Sequence, residues 1–233
     1  MSKHDAVVLF SGGLDSTTAL YWAREKFSRV YALTIYYSQK HNIEIDMARK
    51  SAAKLAVELQ VIDLPLKSIV YSALIDEARA IPDSLAASKD ALGVPFTYVP
   101  FRNGIFLSLA AAFAESRGIF EIVTGFNLID TPDYPDTTGE FTRRMEAAIN
   151  QGTSASLTGR RFSIHTPLID KSKKEIIQLG LGLKVDYADT VSCYRGKQAP
   201  CLRCPACDIR QRAFGQLNME DPLITRLKQE GQL

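Results

Sequence analysis

The stretch AVVLFSGGLDSTTAL, residues 6–20, decides the fold. Ala6 to Phe10 is an unbroken apolar run, which reads as a buried strand. From Leu14 to about Lys26 the pattern is that of a helix. Between the two stand Ser11, Gly12 and Gly13, with Asp15, Ser16 and Thr17 just inside the helix. A glycine-rich turn from strand to helix lets backbone N–H groups approach an anion closely, and the helix N-terminus adds partial positive charge. The hydroxyls of Ser11, Ser16 and Thr17 are suited to donate to phosphate oxygens. Asp15 fits such a site if Mg2+ lies between it and the anion, or if it caps local N–H groups. The spacing is neither that of a Walker P-loop nor that of a dinucleotide G-x-G-x-x-G turn. The stretch is a candidate pyrophosphate cradle; the plainer alternative is a tight turn before a capped helix.

Beyond this stretch, Arg29 to Tyr37 is β-branched and aromatic and reads as a second strand. Ile45, Ala48, Ala52, Leu55, Ala56 and Leu59 recur at helical spacing, and VIDLPL (residues 61–66) reads as a third strand. Strand and helix in alternation predict a parallel sheet with helices on both faces, a Rossmann-like α/β architecture. Residues 67–100 are irregular and carry three prolines, as expected of an insertion near the edge of a site. Asn103 to Arg117 reads as a buried helix, IFEIVTGFN (119–127) as a strand ending at Gly125, and residues 128–141 as a loop. Gly125 thus falls at the strand end where ligands sit in parallel sheets. Further helices are expected over Glu140–Asn150, after Ser172, and over Asp208–Leu217. The expected organisation is an α/β domain over 1–185 and a cysteine-bearing segment over 186–233.

The 233 residues carry a net charge of only +2, which gives no electrostatic case for direct nucleic-acid binding. The N-terminal apolar run is too short for a membrane span or a signal peptide, so a cytoplasmic location without membrane association is expected. All four cysteines, Cys193, Cys201, Cys204 and Cys207, fall within fifteen positions. In a reducing compartment this clustering points to metal rather than disulfides. Four thiolates suit a closed structural Zn2+ site with no open position for water; iron also accepts such a ligand set.

SGGLDS resembles the pyrophosphate loop of the PP-loop ATP pyrophosphatases, and the likeness to one branch, the QueC family of 7-cyano-7-deazaguanine synthases, runs almost end to end. It is carried by FSGGLDSTTAL (10–20), YSQKHNIEIDMARK (37–50), TYVPFRNGIFLSLAAAFAE (97–115), HTPLIDKSKKEIIQLG (165–180) and SCYRG…CLRCPACDIRQRAF (192–214). The resemblance implies an adenine nucleotide alpha hydrolase-like fold and an ATP-dependent carbon–nitrogen ligase. The carboxylate of 7-carboxy-7-deazaguanine would be adenylated and attacked by ammonia, and a second activation would dehydrate the amide to the nitrile. It implies ATP, Mg2+ and Zn2+ as cofactors and a homodimer. Carried over residue by residue, the nucleotide falls to Phe10, Ser11, Gly12, Gly13, Leu14, Asp15, Ser16, Thr17, Thr18, Ala19, Leu20 and Gly125. Asp15, Ser16, Arg102 and Lys173 are the candidate catalytic set; Arg102, Asn103, Asp130, Tyr134 and Asp136 the candidate substrate set. Some have a plainer reading too: Lys173 as a solvated first-turn lysine, Asn103 as a helix cap, and His41 as a cap or surface group.

One stretch departs from the resemblance. Where the family loop resembles D-[YF]-S-G-Y-P-D-C-R, this chain has Pro132-Asp133 in place of Ser-Gly and Thr137-Thr138 in place of Cys-Arg. Loss of an arginine removes a charge and a bidentate fork. That leaves three readings: a nitrile-forming synthase with a divergent loop; a related ligase coupling the activated acid to a larger amine, such as a partner protein's N-terminus in a defence context; and a zinc-stabilised nucleotide-binding module without turnover.

Overall fold

A computed structural model describes residues 4–39, 43–76, 78–83, 89–129, 133–196 and 199–233. Five parallel strands form one sheet in the order β3-β2-β1-β4-β5: β1 Ala6–Leu9, β2 Val30–Tyr36, β3 Glu58–Asp63, β4 Glu121–Val123 and β5 Ser163–His165. The main helices are α1 Leu14–Lys26, α2 Ile43–Lys54, α3 Arg102–Glu115, α4 Gly139–Gly152, α6 Lys173–Gly182, α7 Pro205–Gly215 and α8 Pro222–Gln229, with a single turn, α5, at Ala155–Thr158. From β1 the chain adds strands in one direction to β3, then returns to add β4 and β5 on the other side. The sheet order therefore reverses between β1 and β4, and a crevice is expected at the carboxyl ends of those two strands.

Strand alternation divides the core between the two sheet faces. Ala6, Val8 and Ala32 pack with Ala19 and Leu20 of α1, Ile176 and Ile177 of α6, and Phe214 of α7. Val7, Leu33 and Ile122 pack with Leu107, Ala110 and Ala114 of α3 and Ile149 of α4. The residues after 185 join the first of these cores through Tyr187, Ala213 and Phe214. The Tyr187 hydroxyl lies 2.8 Å from that of Thr18 and 3.2 Å from the Ile176 carbonyl, over Gly180, where a Cβ would lie 1.8 Å from its oxygen.

The helix expected to run through Leu59 stops earlier. Ala56 adopts a left-handed conformation (φ 51°), and Leu59 pairs with Ala32 as part of β3. Beginning at Ile43, α2 is tied to the 3₁₀ turn Tyr187–Asp189 by Lys50–Asp189 (2.6 Å) and to its N-cap by Lys54–Asp186 (2.6 Å). β5 and α8 were not expected from the pattern. β5 has only three residues, and α8 is announced by Asp221-Pro222, an N-cap followed by proline at the first helical position.

The Lys54 hydrogen bond holds the Asp186 carboxyl below its ordinary value, and the same bond raises Lys54. The depressed acid stabilises the fold above its unfolded pKa of about 3.9 and loses that contribution as pH falls through the lower folded value. The raised lysine contributes below its unfolded pKa of about 10.4 and loses it as pH rises through the higher folded value. Lys54→Met is therefore expected to lower the melting temperature between these limits. The gap from wild type should close in strong acid; a gap independent of pH contradicts the assignment.

Candidate active site at the sheet switch point

The crevice is present. A cavity of about 320 Å³ opens beyond the carboxyl ends of β1 and β4. Its wall includes Phe10, Ser11, Gly13, Leu14, Asp15 and Ser16 from the loop and α1, Leu33 to Ile35 from β2, Gly125 beyond β4, Arg102 and Asn103 from α3, and Lys173 from α6.

The loop is shaped by backbone contact. Gly12 has φ +80°, and a Cβ there would stand 2.6 Å from the Glu44 carbonyl oxygen and 2.8 Å from the Ala48 nitrogen, so α2 presses directly on it. A Cβ on Gly125 would stand 2.9 Å from the Ser16 nitrogen. Glycine at 125 thus lets the chain after β4 lie against the first turn of α1. The Ser11 and Ser16 hydroxyls are 3.0 Å apart, and Ser16 Oγ donates to the Gly13 carbonyl. Gly13, at the N-cap of α1, supplies no side-chain cap. A helix start without a side-chain cap is suited to an anion.

Asp15 neither caps the helix start nor stands alone: Lys173 Nζ donates to both its carboxylate oxygens (2.6 and 2.7 Å). Lys173 opens α6, whose start is fixed by a reciprocal cap between Ser172 and Glu175. Solvation as a free surface lysine is excluded, since the side chain is largely buried on the cavity wall. Thr17 donates to the Gly13 carbonyl (2.8 Å) and Thr18 to the Leu14 carbonyl (2.9 Å). Gly12, Thr17, Thr18, Ala19 and Leu20 are not among the cavity-lining residues, and Ala19 and Leu20 lie in the core.

Across the cavity, Arg102 Nη1 donates to the Tyr37 hydroxyl (3.0 Å). Its guanidinium carbon is 5.6 Å from the Tyr37 ring centre and 5.8 Å from that of Phe106. Among the described residues no carboxylate lies within ion-pair distance of it. Burial opposes the charge, but the Tyr37 oxygen and the Asp136 carboxylate outweigh it, so Arg102 is held protonated above its ordinary value. Asn103 does not cap α3. Its backbone N–H donates to Asp136 Oδ2 (2.9 Å) and its side chain donates to the Asp136 carbonyl (3.1 Å), so Asp136 does the capping. Asp136 is 3% exposed, and its Oδ1 is buried without a partner among the described residues.

Tyr134 shares a hydrogen bond with Thr97 (2.7 Å) and packs edge-on to Tyr98; neither Tyr134 nor Asp136 lines the cavity. Asp130 and His41 lie outside the described residues. The departing loop residues make structural contacts away from the cavity lining. Thr138 caps α4 by accepting from the Phe141 N–H, Thr137 donates to the Tyr134 carbonyl, and Asp133 pairs with Lys89.

Two residues escaped the sequence reading. Tyr37 directly follows β2 on the cavity wall. Arg210, 4% exposed, grips Asp221 through Nε and Nη2 (2.6 and 2.8 Å) and donates to the carbonyls of Thr190 and Tyr187. It binds α7 and α8 to the floor of the cavity. Asp221 directly before Pro222 was the available signal for its partner.

Next to this floor the four cysteine sulfurs lie within 4.8 Å of one another. Backbone N–H groups of Cys201 and Cys204 donate to the sulfurs of Cys193 and Cys201 (both 3.3 Å). Thiol hydrogen bonds from Cys204 and Cys207 hold Cys193 far down, while sharing that one anion pushes Cys204 up to about 11 and Cys207 higher still. Four sulfurs this close keep all their charges only around a cation. Tetrahedral Zn–S bonds set sulfurs about 3.8 Å apart, so the residues fit such an ion with slight contraction.

The fold and cavity define an α/β protein with a glycine-bearing strand–helix loop on the wall of a cavity at its switch point. A family model, Queuosine biosynthesis protein QueC, matches residues 5–218, and the chain belongs to that family. It is 43% identical over 220 residues to the 7-cyano-7-deazaguanine synthase of Cupriavidus necator, covering 93% of this chain and 95% of that one. To that of Thiobacillus denitrificans it is 44% identical over 223 residues, covering 94% and 97%. No helix among the described residues is long and apolar enough to cross a membrane.

The loop predicts tight binding of a polyanion. Inorganic pyrophosphate titrated by calorimetry should bind Lys173→Met about ten- to a hundredfold more weakly than wild type, the scale of a charge-assisted hydrogen bond. An unchanged Kd contradicts the placement.

Proposed function

We propose that this chain is a 7-cyano-7-deazaguanine synthase, an ATP-dependent carbon–nitrogen ligase acting on 7-carboxy-7-deazaguanine and ammonia. The observation that carries the reading is the pairing, in one cavity, of an uncapped α1 N-terminus beside Lys173 with Arg102, a cation lacking a carboxylate partner among the described residues. The first suits a polyphosphate and the second a small organic acid.

A carboxylate is a poor electrophile. Its oxygen attacks the α-phosphorus of ATP, the bond to the β-phosphate breaks, and pyrophosphate leaves. Ammonia adds to the acyl-adenylate carbon and AMP departs with one carboxylate oxygen, leaving an amide. The amide oxygen takes a second adenylyl group, and loss of AMP with the two N–H protons gives the nitrile. Backbone N–H groups at the start of α1, with Lys173, stabilise the charge that grows on the departing pyrophosphate. For that step Lys173 transfers from Asp15 to phosphate oxygens. Asp15 and the Ser16 hydroxyl are the oxygen ligands that would hold Mg2+, which supplies further charge neutralisation there. Arg102 receives the substrate carboxylate. Asp136, which holds Asn103 and faces Arg102 electrostatically, supports that end of the cavity from behind. The assembly we propose is a homodimer with the 67–100 stretch, which carries the exposed Ile69, Tyr71 and Leu92, at its interface.

Incubation with Mg-ATP and 7-carboxy-7-deazaguanine should yield the nitrile and AMP when ammonium is present. AMP with no nitrile, and a deazaguanine mass added to a protein of an added lysate, contradicts ammonia as the nucleophile. The cysteine site is assigned to structural Zn2+. Cys204→Ser is expected to lower the zinc content below one per chain and to lower the melting temperature; retention of both contradicts the assignment.

A further inference from the structure

We propose that Tyr37 is a positioning residue for the acid substrate, acting by holding the Arg102 guanidinium toward the cavity. The inference rests on the reading that Arg102 receives the carboxylate. Tyr37 is 5% exposed, lines the cavity, and touches Arg102 in two ways, by the 3.0 Å hydrogen bond to its hydroxyl and by its ring face. Phe106 lies 5.5 Å from the Tyr37 ring and closes the cradle from α3. A guanidinium has five N–H donors in a planar fork. Fixing one on a phenol oxygen sets the plane of the fork and leaves the others for an anion.

The chain holds Tyr37 in place at a conformational cost. The next residue, Ser38, is left-handed (φ 63°) without being glycine, and that turn folds the Gln39 side chain back to accept the Tyr37 N–H (2.8 Å). Gln39 is itself buried on the cavity wall. Burial raises the Tyr37 phenol above its ordinary value although Arg102 works against this, so it stays a neutral hydrogen-bonding group. Such a group accepts from Arg102 without cancelling its charge, which a carboxylate at the same place would do. Because of that difference, the cation is oriented by Tyr37 yet remains available to an incoming acid.

The test compares wild type, Tyr37→Phe, Arg102→Lys and the double variant, each checked for an unchanged melting temperature. Binding of 7-carboxy-7-deazaguanine is measured by calorimetry, and KM for acid and for ATP separately. Tyr37→Phe keeps the ring and should weaken acid binding about tenfold, as expected for one hydrogen bond to a charged group. KM for ATP should stay as in wild type. In the double variant the loss should equal that of Arg102→Lys alone, because the hydroxyl acts only through the fork. Wild-type acid affinity in Tyr37→Phe, with a loss in Arg102→Lys, overturns the proposal and leaves the Arg102 reading intact. Additive losses overturn the positioning role. Wild-type acid affinity in Arg102→Lys overturns the Arg102 reading itself.

Discussion

The structure depends on how closely the start of α1 is approached by its neighbours. Backbone from α2 stands against Gly12, and the chain leaving β4 stands against the Asp15–Ser16 peptide across Gly125. Any side chain at either position would force these elements apart. Because they are in contact, the uncapped end of α1 lies on the cavity wall, with the ends of β2 and β4 around it. This wall of the cavity is thus shaped mostly by main chain, and the glycines matter for what they let come near.

Around that frame the charges are arranged so that each end of the cavity has a distinct state before substrates arrive. At the loop, Lys173 and Asp15 neutralise one another. At the far end Arg102 keeps its charge, supported by rings, a phenol oxygen and the Asp136 field. Below the floor, four sulfurs packed together need a cation to carry their charge, and the doubly bonded Arg210–Asp221 pair ties that region into the domain. Cys193, Cys204 and Cys207 share a core with Tyr37, Leu74 and Val99. The cysteine segment therefore packs against the wall that carries Tyr37.

Much of this was legible in the chain. The strand–turn–helix at residues 6–20 announced the parallel sheet, because the apolar run and the glycine pair each state a local requirement. The cysteine spacing announced its cluster for the same reason. What escaped was non-local. Nothing near Asp136 says that its carboxylate caps a helix beginning at Arg102, and nothing near Asn103 says that its side chain donates rather than caps. The Lys173–Asp15 pair joins residues far apart in the chain, as does the Tyr37–Arg102 bond. Leu59 was assigned to the wrong element because the apolar helical spacing continued past Ala56, where the backbone turns left-handed and the strand takes over. The Thr137–Thr138 departure raised the question of a change in chemistry; in the fold the two threonines serve a turn and the cap of α4.

The central claim is that the cavity moves adenylyl groups onto the substrate's own oxygen. Both carboxylate oxygens of 7-carboxy-7-deazaguanine would be labelled with oxygen-18 and turnover run with unlabelled Mg-ATP and ammonium. The account predicts that the label leaves in the phosphoryl group of AMP, both atoms for each nitrile formed. Label in phosphate or pyrophosphate, or in water with AMP unlabelled, would contradict it.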